Sequence, residues 1–236
     1  MLTKINAGNG RKIEVQKMED VRTNEAKTGL RAKKVNRRSM TYRIALTGIM
    51  TALAEVLMLL EIPLPLMPAF LKYDFSDIPA LFAGFACGPL AGVVVEFLKN
   101  LIHMPFTGTQ YIGEVANFIC GSIFVFTGAM IYSKIRSKKG VILSLVCGTI
   151  ALTVATCFVN YYFSLPLYEK VMGFPTPAII AMCDKANTIV SIKSKLDVIL
   201  MTFVPFNIFK GLTVSMVAFL CYIPLHSFFS DEKEEA

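Results

Sequence analysis

Residues 78–104 read IPALFAGFACGPLAGVVVEFLKNLIHM, and whether this stretch crosses a membrane once or twice decides the fold. A bilayer core about 30 Å thick takes roughly 20 helical residues at about 1.5 Å each. One crossing leaves residues over, and two crossings are short. The interruption at Gly88-Pro89 favours two. Glycine removes the steric bar to a tight turn, and proline at the start of a helix lacks only a donor that would be unpaired anyway.

Four other apolar stretches are long enough to span: residues 41–60, 113–135, 141–165 and 198–223. Charge then fixes the count, because basic connections stay in the cytoplasm. Lys134, Arg136, Lys138 and Lys139 form a dense basic turn, and a basic segment precedes the first span. An even number of crossings must separate the two. A hairpin at Gly88-Pro89 supplies four crossings, whereas a single span supplies three. The sequence therefore predicts an all-α membrane protein of six transmembrane helices, whose short second and third helices form a hairpin at Gly88-Pro89. Both termini are expected in the cytoplasm of a multi-pass cell-membrane protein.

Composition agrees. Of 236 residues, 54% are hydrophobic and 17% charged, with a mean hydropathy of +0.56. A soluble domain carries about 25% charged residues, so this chain cannot cover a water-facing surface. The net charge of +7 is uneven: 11 of the 24 Lys and Arg residues lie within residues 1–40, against Glu14, Glu19, Asp20 and Glu25. That segment shows no sustained apolar periodicity, so it reads as a basic mobile cytoplasmic tail. Its charge is topogenic rather than nucleic-acid-binding. The run after Thr41 is too long for a signal peptide and lacks an A-x-A site. The expected organisation is a tail over 1–40, a six-helix transmembrane domain over 41–223, and a cytoplasmic tail over 224–236. The outer connections are 61–77, 105–112 and 166–197, the last long enough to be functional. Ser76 or Asp77 is expected to cap the second helix.

Enzymatic motifs are missing. The sequence contains no H-E-x-x-H, G-x-S-x-G, Walker A or C-x-x-C pattern. His103 and His226 show no metal-ligand spacing and read as interfacial. Neither an enzyme nor a resident cofactor is indicated.

Ionisable and amide groups inside spans are expensive, which makes them candidate site residues. Asn207 and Lys210 are three apart on the last helix, just after Pro205, which should kink it. Lys210 has no acid three or four residues away on its own helix. Asn160 lies near the outer end of the fifth helix. Glu96 and Lys99 can pair within the third helix, while Glu114 and Asn117 read as interhelical glue or a helix cap. Glu55 has two readings, interfacial or paired inward. Two amides and an ammonium suit a neutral ligand with carbonyl oxygens and an imide-like edge. Phe158, Tyr161, Tyr162, Phe203, Phe206 and Phe209 lie near them as either ring contacts or ordinary packing. Such a pocket would open outward.

The runs EIPLP (61–65), FLKYDFSDIPALFAGF (70–85), GPLAGVVVEFLKN (88–100), GEVANF (113–118) and PFNIFKG (205–211) carry a resemblance. It covers roughly residues 41–223. The chain resembles the substrate-binding subunit of energy-coupling factor (ECF) vitamin importers, nearest to the riboflavin-specific branch. The resemblance implies a six-helix bundle that binds riboflavin from outside, with ligand contacts at Asn160, Asn207 and Lys210, and further ones at Phe70, Leu71, Thr107 and Thr109. It implies as partners a transmembrane scaffold subunit and two ATPase subunits, besides the lipid bilayer. Small residues of the first helix contact the scaffold in that family. Here Ala45, Gly48 and Ala52 form such a stripe, with packing inside this same bundle as the other reading.

Two alternatives stand beside the riboflavin reading. One is an importer subunit for another vitamin or for FMN, which would favour a further cation from Lys72, Lys170, Lys185, Lys193 or Lys195. The other is a membrane structural or assembly protein whose polar residues only lock helices together.

Overall fold

In the computed structural model the described residues are 40–229, with side chains described as far as Leu225. The tail over 1–40 lies outside them, apart from Met40, as do the side chain of His226 and the last seven residues.

Helix α1 covers Met40–Leu59, and a short antiparallel pair follows, β1 (Ile62–Pro63) against β2 (Lys72–Tyr73). Helices α2 (Asp77–Cys87) and α3 (Pro89–His103) form the expected hairpin. Gly88 joins them at φ +100°, a conformation closed to most side chains. At Gly92 a Cβ would sit 2.3 Å from Val125 Cγ1 and 2.8 Å from the Ala80 carbonyl oxygen, so only glycine lets α2, α3 and the helix that carries Val125 approach this closely. Helix α4 is Ile112–Lys134. Ser137 caps α5 (Lys138–Val159) by accepting from the Gly140 N–H.

The fifth span is longer than expected. Helix α5 passes through a π-helical segment, Asn160–Ser164, into α6 (Leu165–Met172), giving one rod from Lys138 to Met172. The last span is built alike. Helix α8 (Lys195–Val198) runs through a second π segment, Ile199–Phe203, into α9 (Val204–Phe229). Each π segment ends two residues before a proline, Pro166 and Pro205. Proline lacks the N–H and crowds the carbonyl four residues back, and a wider turn absorbs both faults. The expected kink at Pro205 thus takes the form of a π segment. The freed Met201 carbonyl accepts from Asn187 Nδ2 at 3.4 Å.

Counting each rod once, the hairpin and the rods give six membrane helices. Two expectations on the connections are corrected. Residues 166–197 contain α6, a further helix α7 (Thr176–Ala186) and the start of α8, because an apolar face there packs on the outer end of the bundle. The last helix also continues beyond residue 223, through Pro224 to Phe229, so no boundary falls at 224.

The main core lies between α2, α3, α4, α5 and α9, around Leu81, Val95, Phe124, Val125 and Val214. A second cluster, centred on Leu165, Tyr168, Ile179, Cys183 and Phe203, closes one end. Outward faces are apolar, as at Ile44, Ile150, Leu212 and Met216, which suits contact with lipid. Helix α1 buries only a narrow stripe, Leu46, Thr51, Ala54, Glu55 and Met58. Ala45, Gly48 and Ala52 face away, and a Cβ at Gly48 would meet nothing within 4 Å, which removes the reading that this stripe packs within its own bundle.

Candidate functional site

A cavity of about 250 Å³ lies between the 61–76 connection, the 106–109 turn and α4, α5 and α9. One water occupies about 30 Å³ of liquid volume, so the space suits an organic molecule rather than a single ion. Its lining includes Asn160, Asn207, Lys210, Phe70, Leu71 and Thr109, six of the seven expected contact residues. Thr107 is not in the lining. Its hydroxyl accepts from the Thr109 and Tyr111 N–H groups and so shapes the turn that presents Thr109. Gln110 and Tyr111 follow with φ of 48° and 70°, left-handed backbone that non-glycine residues seldom adopt.

Both amides are anchored by one N–H. Asn160 Nδ2 donates to the Thr156 carbonyl at 3.0 Å, and Asn207 Nδ2 to the Phe203 carbonyl at 2.9 Å. Each acceptor is four residues back on the same rod. Each amide keeps its oxygen and second N–H for a guest, an edge that both donates and accepts. The π segments set where these edges point, since Asn160 opens the first and Phe203 closes the second.

Lys210 is held differently from the sequence expectation. Its acids come from another part of the chain: Asp74 Oδ2 lies 3.0 Å and Asp77 Oδ2 3.3 Å from Nζ. Asp77 also meets Lys99 at 2.5 Å, and Lys99 meets Glu96 at 2.9 Å. The expected pair within α3 exists but belongs to a buried ladder of three carboxylates and two ammoniums. Ser76 donates to Asp74 and accepts from Lys99 at 2.8 Å. Ser76 takes the N-cap position of α2 as expected, but its side chain makes no cap hydrogen bond because Asp74 and Lys99 hold it instead.

His103 is buried rather than interfacial. Its Nδ1 lies 3.1 Å from Glu55 Oε1, which gives Glu55 the inward role. Asn117 Nδ2 donates to Asn100 Oδ1 at 3.1 Å and ties α4 to α3 as glue, although Asn117 also lines the cavity. Among the aromatics, Phe203 and Phe206 face the cavity, joined by Phe70 and Tyr168. Phe158, Tyr162 and Phe209 are exposed on the lipid side.

Amide edges, aromatic faces and pre-paired charges around a partly open cavity, all inside lipid-facing helices, define a membrane-embedded binding protein for a small organic solute. The model of the family described as "ECF transporter, substrate-specific component" matches residues 42–222, and the chain belongs to that family. The family supplies a binding component and not an enzyme. The chain is 34% identical to "Riboflavin transporter FmnP" of Bacillus subtilis (strain 168), over 81% of this chain and 95% of that one. It is 35% identical to "Riboflavin transporter RibU" of Staphylococcus aureus (strain TCH60), over 79% and 91%. A structure titled "Structure and mechanism of the S component of a bacterial ECF transporter" is similar at a TM-score of 0.64 and 32% identity, over 82% of this chain and all of that one.

Proposed function

We propose that this protein captures riboflavin from outside the cell for ATP-driven uptake by an ECF transporter. One observation carries the reading. The two amide edges of Asn160 and Asn207 share a cavity with Phe70, Tyr168, Phe203 and Phe206, while both lysines facing it are already paired with carboxylates. A guest there need not bring charge. It needs a flat aromatic face and groups that donate and accept, which riboflavin has in its ring system and ribityl chain. Three relatives above 30% identity carry the name riboflavin transporter.

Asn160, Asn207 and Lys210 contact the ligand, with Phe70, Leu71 and Thr109 closing over it and Thr107 supporting Thr109. With the basic 134–139 turn in the cytoplasm, the 61–76 and 106–109 segments face outward and ligand enters between them. No energy source lies in this chain, so a scaffold subunit and two ATPases complete the transporter. The exposed Ala45, Gly48 and Ala52 of α1 form the face for that scaffold.

The test is titration of detergent-purified protein with riboflavin, read by quenching of flavin fluorescence. Saturable quenching is expected, and Asn207→Leu or Asn160→Leu should weaken it at least tenfold, since each leaves a buried ligand group unpaired. Absence of quenching by any flavin would end the riboflavin reading.

A further inference from the structure

The charges that face the cavity do not cancel. Glu61, Asp74, Asp77 and Glu114 line it, against Lys72 and Lys210, and the titratable His103 in the same lining is paired with Glu55. Lys72 is paired with Glu61, and Lys210 with Asp74 and Asp77. Behind them Lys99 is taken by Asp77 and Glu96. Each of these lysines is therefore already matched by carboxylate.

Glu114 is the exception among the acids. It sits in the first turn of α4, where a helix N-terminus favours negative charge, and only 6% of it is exposed. Its Oε2 accepts from Thr109 Oγ1 at 3.1 Å, and among the described residues no cation pairs with it. A carboxylate so placed accepts hydrogen bonds and offers none. It suits a guest whose polar groups are hydroxyls. A phosphate monoester, with about −1.5 to −2 charge at pH 7 and acceptor oxygens, finds no unclaimed lysine here and meets a like charge.

We propose that Glu114 is a specificity-determining residue: it accepts from hydroxyl groups of an uncharged ligand and excludes the phosphorylated form of that ligand. The proposal rests on the flavin reading above. It assigns the choice between riboflavin and FMN to one side chain.

Riboflavin and FMN are titrated separately into the full-length protein and into Glu114→Gln, by flavin quenching at fixed ionic strength. The unaltered protein should prefer riboflavin by at least tenfold. Glu114→Gln should shrink that ratio at least tenfold, mostly through tighter FMN binding, while riboflavin weakens less than tenfold. A ratio unchanged within threefold, with riboflavin still bound, overturns the role of Glu114 and leaves the flavin reading intact. Failure of the unaltered protein to bind either flavin overturns the reading itself, and this proposal with it. Glu114→Ala is the second variant should glutamine disturb the fold. The unaltered protein also gives an independent readout between pH 7.5 and 5.5, across the second phosphate ionisation near about 6. FMN affinity should rise several-fold as pH falls while riboflavin affinity changes less, and an equal response of the two flavins counts against the proposal.

Discussion

Lys99 shows what a single buried charge does in this bundle. Fully enclosed, it lies 2.5 Å from Asp77 and 2.9 Å from Glu96, and Asp77 in turn holds Lys210 at the cavity wall. Removing one partner of a buried pair strands the other, at about 3–5 kcal/mol. Lys99→Met should therefore lower the thermal midpoint in detergent strongly. Adding Asp77→Asn to it should recover part of the loss, because one unmatched carboxylate disappears, and a double-mutant cycle measures the coupling. Simple additivity of the two losses would show that the ladder does not act as a unit. This ladder was only half visible in the sequence. Glu96 and Lys99 stand three apart and announce themselves, whereas Asp74 is 136 positions from Lys210 and only the folded chain joins them. For the same reason Glu114 read as glue or a cap, since nothing local says that every nearby lysine is already claimed.

The elements explain how two ordinary asparagines come to face one space. Each rod carries a π segment two residues before a proline, and each places an amide at or just after it, Asn160 in one and Asn207 in the other. Pro205→Ala restores an N–H that can reach the Met201 carbonyl, which would close the turn to α-helical pitch and rotate the rod around Asn207. Helix content by circular dichroism should stay the same while riboflavin affinity falls about tenfold or more. Unchanged affinity would mean that the π geometry does not aim the amide. The hairpin at Gly88-Pro89 was legible because a positive φ and a missing donor are local demands. The prolines were legible as breakers, but the form of the break depends on what packs against the rod. Helix α7 was hidden inside an expected loop, because its apolar face matters only against α6 and the second core. Burial there pushes the Cys183 thiol up to about 11. At pH 7.4 the nucleophilic thiolate is then scarce, so maleimide should spare Cys183 in the folded protein and label it after denaturation. Rapid labelling of the native protein would show that α7 does not stay docked.

At the scale of the whole molecule, the cavity and the face proposed for the scaffold subunit lie apart. The cavity is built from the loops flanking the hairpin, α4 and the two long rods, while α1 adds only Met58 to its lining and is clipped on by Arg43 to the Cys87 carbonyl at 2.5 Å and by Glu55 to His103. Its Ala45, Gly48 and Ala52 touch nothing that holds the bundle together. Small residues on a lipid-facing helix let another helix approach closely, which is why this face is the one proposed for the scaffold subunit. Gly48→Leu with Ala52→Leu fills that face with bulk that lipid accepts as readily as the original residues. The purified variant should fold and quench riboflavin fluorescence with an affinity within a few-fold of the parent, because neither side chain lies in the cavity. Uptake of riboflavin by cells carrying the complete transporter should nevertheless fall at least tenfold, and co-purification of the scaffold subunit should drop with it. Loss of uptake together with loss of binding would place the stripe inside the folding core, against its open surroundings at Gly48. Normal uptake would move the scaffold contact to another face of the bundle.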